Sequence, residues 1–485
     1  MPPTTLFSLG SNSSGQLGVG HLEDSAHPVP SLSAPYLVHA LDSLPASIQL
    51  RAQRPWLKLT GGGNHAMALT DSGQLLACGS HHEGQLGLGT LRNTSKECPE
   101  NLVTRWTPLD NYSWTDVACG WNHTLAICNK GHVYAFGCGT FGQLGLSATT
   151  SDQSSQSHTD RITPSHPGSA TSRPVTRVDT PQMVPVGSPG NRIVKVACGL
   201  RHSVALDQQG QVWGWGVHRH GQLGCPDISK VSKLDTSRLS RPRQSVTYHV
   251  TPQLLTHATN RDGEPILLPK NIVQIACGQH HTVLLTDKGT VVVLGSDKYG
   301  QHGWASRHIT NPSTPQATKD TDASLVAFSA PQPIRITKIA SGWNHVVVLC
   351  SEGSVFSWGR NDHGQLGDRP SPATSDSEPT ILPQDSTVQR SYPYCRATPE
   401  RVLFPPDAAP IIDISCGSEH TLALDSRGVC YAWGWNEHGN CGLDTLEDVR
   451  YPRPIPFSAE PPVPPSEIRV AQVGCGYGFS LLAIE

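Results

Sequence analysis

No apolar run reaches the roughly 18 residues that a membrane-crossing helix requires, and no charged leader with an apolar stretch marks a secretory signal. The 14 cysteines are too scattered for a secreted disulfide framework, and no Cys-x-x-Cys pair nominates a zinc or redox site. A P-loop, a Gly-x-Gly-x-x-Gly turn between strand and helix, and a Ser/His/Asp trio are all untraceable. A reduced, soluble, intracellular protein without catalytic machinery, metal ligands or a cofactor is the expectation. Charge bias is also lacking: a net charge of -3 gives no global reason to bind DNA or an acidic membrane, so any basic face must be local. The first strand begins by Leu6, so no N-terminal tail is expected to carry a signal or a DNA-binding arm. Helix should be scarce, because 46 glycines and 40 prolines in 485 residues suit turns, and the lean 36% of hydrophobic residues suits long loops.

What is abundant is repetition, which governs every other inference. The stretch Val117 to Gly145 reads as strand, Gly turn, strand, Lys-Gly hairpin, strand, then a loop closing on Gly142-Gln-Leu-Gly145. Closing motifs recur at Gly15, Gly84, Gly142, Gly221, Gly300, Gly364 and Gly439, and opening motifs at Gly61, Cys119, Cys198, Cys277, Ser341, Cys416 and Cys475. There are seven of each, out of phase: the chain starts on a closing half and ends on an opening half. An all-β, seven-bladed β-propeller follows, a single domain over 1–485 with its last blade zipped from both termini, which removes exposed sheet edges.

Successive Trp-Gly-type glycines lie 58 to 79 residues apart, whereas four short strands need only about 40. The surplus falls in polar insertions at 147–179, 226–250, 305–329 and 369–398, expected to be flexible. Segments at Pro181–Val184, Pro252–Leu255, Pro333–Arg335, Pro399–Val402 and Pro454–Pro456 are expected as outermost strands, where proline is tolerated.

His65, His123, His202, His281, His345 and His420 occupy one slot of successive repeats, so a ring spreads them apart instead of gathering them at an ion. Hydrogen bonds tying adjacent strands are their expected role, with Phe479 in the seventh slot. The cysteines at the opening motifs share their slot with Gly61 and Ser341, which points to small packing residues.

Repeats of Cys-Gly-x-x-His, Asp-x-Gly, Trp-Gly and Gly-Gln-Leu-Gly resemble those of the regulator of chromosome condensation family across nearly the whole chain. Trp121 and Trp343, each in Gly-Trp-Asn-His, resemble the tryptophan clusters of the plant ultraviolet-B photoreceptor. Only two copies carry Trp, and both have Asn where that receptor has Arg, which argues against photoreception. Two departures from symmetry, Phe7 to Asp24 and Trp433-Gly-Trp-Asn-Glu-His-Gly-Asn-Cys-Gly442, resemble the fungal alpha-tubulin suppressor, or killer-toxin-insensitivity, branch and an animal relative named as an exchange factor.

The fungal resemblance implies a non-catalytic, cytoplasmic and nuclear partner of a small CSL-type zinc protein. That pair would support diphthamide synthesis on elongation factor 2 and Elongator-dependent modification of tRNA wobble uridines, with any zinc or iron held by the partner. The alternatives are a guanine-nucleotide exchange factor for a Ran-type small GTPase and a generic adaptor. Loops free of core duties should form the partner face. Trp121, Asn122, Arg201, His218, Arg219, Trp343, Asn344, Asn361, Asp362, Asn436, Glu437 and His438 are its expected residues.

Overall fold

The computed structural model describes residues 5–32, 56–90, 101–109, 112–148, 173–224, 248–259, 265–303, 324–326, 334–368, 395–457 and 468–485. They form seven four-stranded antiparallel sheets and one two-stranded ribbon, His257–Thr259 with Pro265–Leu267, between blades 3 and 4. From the inside outwards, blade 1 is Lys58–Gly61, His65–Leu69, Leu75–Ser80 and Leu102–Leu109. Blade 2 is Trp114–Cys119, His123–Cys128, Val133–Cys138 and Arg177–Val184. Blade 3 is Ile193–Cys198, His202–Asp207, Val212–Val217 and Tyr248–Leu254. Blade 4 is Ile272–Cys277, His281–Thr286, Val291–Gly295 and Ser324–Leu325. Blade 5 is Ile336–Ser341, His345–Cys350, Val355–Arg360 and Cys395–Arg401. Blade 6 is Ile411–Cys416, His420–Asp425, Cys430–Gly434 and Val449–Pro454. Blade 7 takes Val470–Cys475 and Phe479–Ile484 from the end of the chain and Thr5–Gly10 and Ser25–Leu32 from its start. Thr5 to Gly10 pairs with Ile484 to Phe479 without a register break, so the ring closes on main-chain hydrogen bonds.

The bulk of each expected insertion lies outside the described residues, but their ends differ from expectation. Outer strands begin at Arg177, Tyr248 and Cys395, inside the ranges assigned to loops. The outer strand of blade 4 is Ser324–Leu325, not Pro333–Arg335, and that of blade 6 ends at Pro454. Pairing with the third strand sets these limits, and a proline count cannot locate it.

Apolar packing runs along seams between blades. Met67, Leu69 and Ala77 of blade 1 meet Val117, Ala126 and Phe136 of blade 2, all buried. Two close approaches explain the glycines of the repeat. A Cβ on Gly120 would lie 2.1 Å from His123 Cε1, and one on Gly137, at φ 107°, would lie 2.4 Å from the Asn122 carbonyl.

The histidines tie neighbouring blades together, not adjacent strands of one sheet. His65 Nε2 meets Thr124 Oγ1 at 3.0 Å, His123 meets Ser203 at 3.0 Å, and His202 meets Thr282 at 3.2 Å. His345 meets Thr421 and His420 meets Ser480, both at 3.1 Å. The hydroxyl of Ser203 donates back to the Gln143 carbonyl at 2.7 Å, so it accepts from imidazole and the proton sits on Nε2. In blade 5, Val346 replaces the hydroxyl residue, and His281 reaches Ser341 of the opening motif at 2.8 Å instead. In blade 1, Ala66 replaces it, and the partner is Phe479, packed with Ala66 in one apolar cluster. Gly61 fits the same logic, because a Cβ there would stand 2.3 Å from Phe479 Cζ. Indoles add to the joints: Trp215, Trp358 and Trp433 donate to the Gln143, Gln301 and Gln365 carbonyls at 2.9, 2.7 and 3.0 Å.

A second set of joints surrounds the other end of the axis. Lys58, Asp116, Lys195, Gln274, Lys338, Asp413 and Gln472 share the position three residues before the opening-motif slot. Asp116 accepts from Lys58 of blade 1 at 2.7 Å and from the Val196 N–H of blade 3 at 3.0 Å. Lys338 pairs with Asp413, and Gln472 donates to the Leu57 carbonyl at 2.8 Å. In six of the inner strands the register shifts at this position, a bulge that turns the preceding residue outwards. Val194, Val273 and Ile412 are thereby exposed around the rim, beside Leu57.

Burial lowers His65, His123, His202, His345 and His420 from 6.5 to about 3, and His281 well below 6.5. Between those values the unfolded chain binds more protons than the folded one, so stability is full above pH 6.5 and falls as pH drops. Each ring contributes about 1.3 kcal/mol between pH 7 and 5.5, and six contribute on the order of 7 kcal/mol, comparable to a whole domain's stability. The urea midpoint should therefore fall steeply over that interval, and a flat profile would contradict the neutral ring. Phe479→His alone should cost about 2 kcal/mol by burying an unpaired N–H. Adding Ala66→Thr should recover at least about 1 kcal/mol in a double-mutant cycle, whereas simple additivity would argue against the joint.

Candidate functional site

In a four-stranded meander, the turns between strands 1 and 2 and between strands 3 and 4 emerge on one face. All twelve expected partner residues lie on those turns, but they divide into different kinds. Asn436 is fully buried: its Nδ2 donates to the Thr445 and Glu447 carbonyls at 2.7 and 3.2 Å, and its Oδ1 accepts from the Cys441 N–H at 2.8 Å. Asn361 likewise accepts from the Leu366 N–H at 3.0 Å, and its Nδ2 donates to Asp368. Asn344 is buried and takes the Gln301 amide at 3.2 Å. These three shape turns. Asn122 is half-buried, and its carbonyl holds the Cys138 N–H at 2.8 Å.

Trp121 and Trp343 come from blades 2 and 5, as far apart as seven blades allow, yet their rings meet over the axis at 5.7 Å. Tyr477 of blade 7 completes the contact at 5.4 and 5.5 Å from them. Main-chain bonds set these turns: Trp343 N–H donates to the Ser418 carbonyl at 2.8 Å, and Ser418 N–H to the Tyr477 carbonyl at 2.9 Å. Behind this cluster, an axial cavity of about 730 Å³ is lined by the inner strands, including the thiols of Cys119, Cys198, Cys277, Cys416 and Cys475. Burial pushes Cys119, Cys277 and Cys475 up to about 12, so they are packing thiols and not nucleophiles.

Beside the aromatic cluster is a concave pocket of about 500 Å³. Trp121, Trp343, Trp435 and Tyr477 form its apolar side, and Arg360, His363, Glu419, Glu437 and His438 its polar side. Arg360 pairs with both Asp362 and Glu419, while His363 bridges Glu419 at 3.1 Å and Asp448 at 2.9 Å. Burial pushes the Glu419 carboxyl upwards, against the pull of Arg360 and His363. Asp362, His363 and Glu419 bring ligand atoms within 4.8 Å of one another, but the Arg360 guanidinium already pairs with both carboxylates. His438 accepts an edge contact from Trp435 at 5.2 Å and pairs with Asp24 at 2.7 Å, whereas Glu437 is exposed.

The remaining expected residues lie elsewhere on this face. Arg201 stacks over Phe141 at 4.2 Å, Arg219 donates to His220 at 2.9 Å, and His218 stacks on His249 at 4.2 Å. Tyr477, Ser418, Glu419, Arg360 and His363 were not expected at the site. The signal for Ser418, Glu419 and Tyr477 was present in the opening-motif turns Gly417-Ser-Glu-His420 and Gly476-Tyr-Gly-Phe479, where the residues between Gly and the His slot depart from the other copies, whereas Arg360 and His363 lie in the closing loop of blade 5.

Residues 5–482 match the model of the RCC1-like domain. The chain belongs to the RCC1-like family. It is 32% identical, over 99% of its length and 83% of the other protein, to the secretion-regulating guanine nucleotide exchange factor of Mus musculus. To the ultraviolet-B receptor UVR8 of Arabidopsis thaliana it is 26% identical, over 83% of this chain and 82% of that one. Among solved structures, Prp20p of Saccharomyces cerevisiae superposes with a TM-score of 0.67 at 21% identity, covering 100% of this chain and 92% of that one.

These relatives overturn the expected function. Partnership with a small CSL-type zinc protein, diphthamide synthesis and Elongator-dependent tRNA modification give way to the alternative, because the similar full-length relatives are named as exchange factors. The departure that suggested the fungal branch leaves the joint as it is in the other copies. Asn440 and Cys441 are buried in the joint with blade 7, where the Asn440 carbonyl accepts the Ser480 hydroxyl at 2.7 Å and the Cβ of Asn440 lies against Gly10.

Neighbouring residues of this RCC1-like propeller should separate on mutation. Asn436→Ala should cost about 2 to 3 kcal/mol by stripping three buried hydrogen bonds, while Glu437→Ala stays within about 0.5 kcal/mol. Equal shifts in urea midpoint would contradict the division into turn-shaping and surface residues.

Proposed function

We propose that this protein is a guanine-nucleotide exchange factor for a small GTPase, docked on the face that carries the aromatic pocket. The observation that carries the proposal is the 32% identity, across 99% of the chain, to a protein named as such a factor. The pocket supplies what a docking centre requires: rigid aromatic anchors at the middle of a face, with charged groups around them. Trp121, Trp343, Glu437 and His438 are its proposed contact residues, joined by Trp435 and Tyr477.

Exchange of this kind needs no bond to be broken by the propeller. A protein that binds the nucleotide-free GTPase more tightly than the loaded one weakens nucleotide binding by the same factor, since coupling is reciprocal. The proposed role is therefore that of a binding partner whose differential affinity does the work.

A panel of small GTPases loaded with fluorescent GDP, including a Ran-type protein because Prp20p is described by its binding to Gsp1p, provides the test. At least one member should release GDP on the order of tenfold faster with the full chain present. It should also form a complex in EDTA that GTP and magnesium dissolve. Trp435→Ala with Glu437→Lys should remove most of that acceleration without shifting the melting temperature. Release rates unchanged across the panel, with no nucleotide-sensitive complex, would sink the proposal.

A further inference from the structure

The loop face is electrically divided. On the side of blades 5, 6 and 7 the carboxylates Asp24, Asp362, Glu419 and Asp448 pair with Arg360, His363 and His438. On the side of blades 3 and 4 the arginines lack such partners among the described residues, and the acid of the blade 4 loop, Asp297, lies 3.9 Å from His302. Arg201 is exposed, and its guanidinium carbon sits over the Phe141 ring, 4.2 Å from the centroid. Arg219 is exposed, uses its Nε on His220 at 2.9 Å, and keeps its terminal N–H groups for other acceptors. The His220 ring stacks on His280 at 4.5 Å, which connects the loop of blade 3 to the first turn of blade 4.

The contrast with other arginines is instructive. Arg360 gives its donors to Asp362 and Glu419, and Arg396 to Asp368, Glu400 and Ser357. Neither Arg201 nor Arg219 has a carboxylate partner among the described residues. His280 registers the same environment: burial first, then His220, Arg219 and Arg201, lower it to about 4. Two guanidinium groups beside stacked imidazoles, with no carboxylate partner among the described residues, offer the donors that an oxyanion requires.

We infer that Arg201 and Arg219, with His220 and His280, form a binding site for a phosphomonoester on the rim of the loop face. The dianion of a phosphomonoester carries the two charges that balance two guanidinium groups, whereas a single carboxylate carries one. The site stands apart from the aromatic pocket, none of whose lining residues it shares, and does not depend on the exchange-factor proposal.

Titrations of the full chain with inorganic phosphate, N-acetyl-phosphoserine amide and GDP, followed by the histidine ring signals in proton NMR, would test it. At least one probe should bind and shift the His220 and His280 signals, and the pattern among the three identifies the source of the phosphate. N-acetyl-serine amide and acetate should bind at least tenfold more weakly than the best phosphate probe. Arg219→Gln and Arg201→Gln should each weaken that probe roughly 10- to 100-fold, the loss of one charge-assisted contact. Lys195→Gln, at the opposite end of the axis, should change nothing. The assignment is wrong if no phosphate probe shifts these rings, if acetate matches the phosphates, or if both arginine variants bind as the parent chain does.

Discussion

One hydroxyl group at each of six joints out of seven holds the ring together. Ser203 accepts a proton from His123 of the blade before it and donates its own to the Gln143 carbonyl of that same blade, so one side chain pins two separate elements across the seam. Such a relay has a direction. It works only while the imidazole carries its single proton on Nε2, which in turn requires the dry surroundings that the apolar seams provide. The packing, the tautomer and the closing Gly-Gln-Leu-Gly turns are therefore one arrangement seen from three sides. The exceptions support this view: where Ala66 removes the hydroxyl, the imidazole is gone as well, and Phe479 fills the space against Gly61.

Most of the fold was legible because seven imperfect copies mark the same positions. Strand order, blade number and closure through both ends follow from the phase of the opening and closing motifs, and the structural role of the histidines follows from their equivalence. The partner of five of the six histidines was hidden because it lies one residue past the same slot in the next copy, a relation visible only when blades stand side by side. The stitching residues Lys58, Asp116 and Gln274 escaped for a different reason: Lys, Asp and Gln look unrelated until their shared position is seen, with Lys58 donating to Asp116 and both Asp116 and Gln274 accepting a main-chain N–H of the next blade. The site was legible as a face but not as a pocket. Nothing in the spacing of Trp121, Trp343 and Tyr477 says that three blades aim their rings at one axis.

The division of labour follows from the symmetry. Positions that recur in every copy are consumed by joints, so the residues able to recognise another molecule are those that differ between copies. That separates Asn436 and Asn361, which rebuild a turn, from Glu437 beside them, which does not. The departure at Asn440 and Cys441 changes side chains while keeping the joint, since the Asn440 carbonyl accepts the Ser480 hydroxyl as the Gln143 carbonyl accepts that of Ser203.

That meeting of ends constrains how the protein is made. The strand Thr5–Gly10 leaves the ribosome before the other six blades, and its inner neighbour, Phe479–Ile484, after them. While those six blades are made, the seventh exists only as its outer half, with an unsatisfied strand edge that invites wrong pairing until Phe479–Ile484 emerges. A damaged or prematurely stopped message yields not a slightly shorter propeller but an open arc with two raw edges, a product fit for degradation.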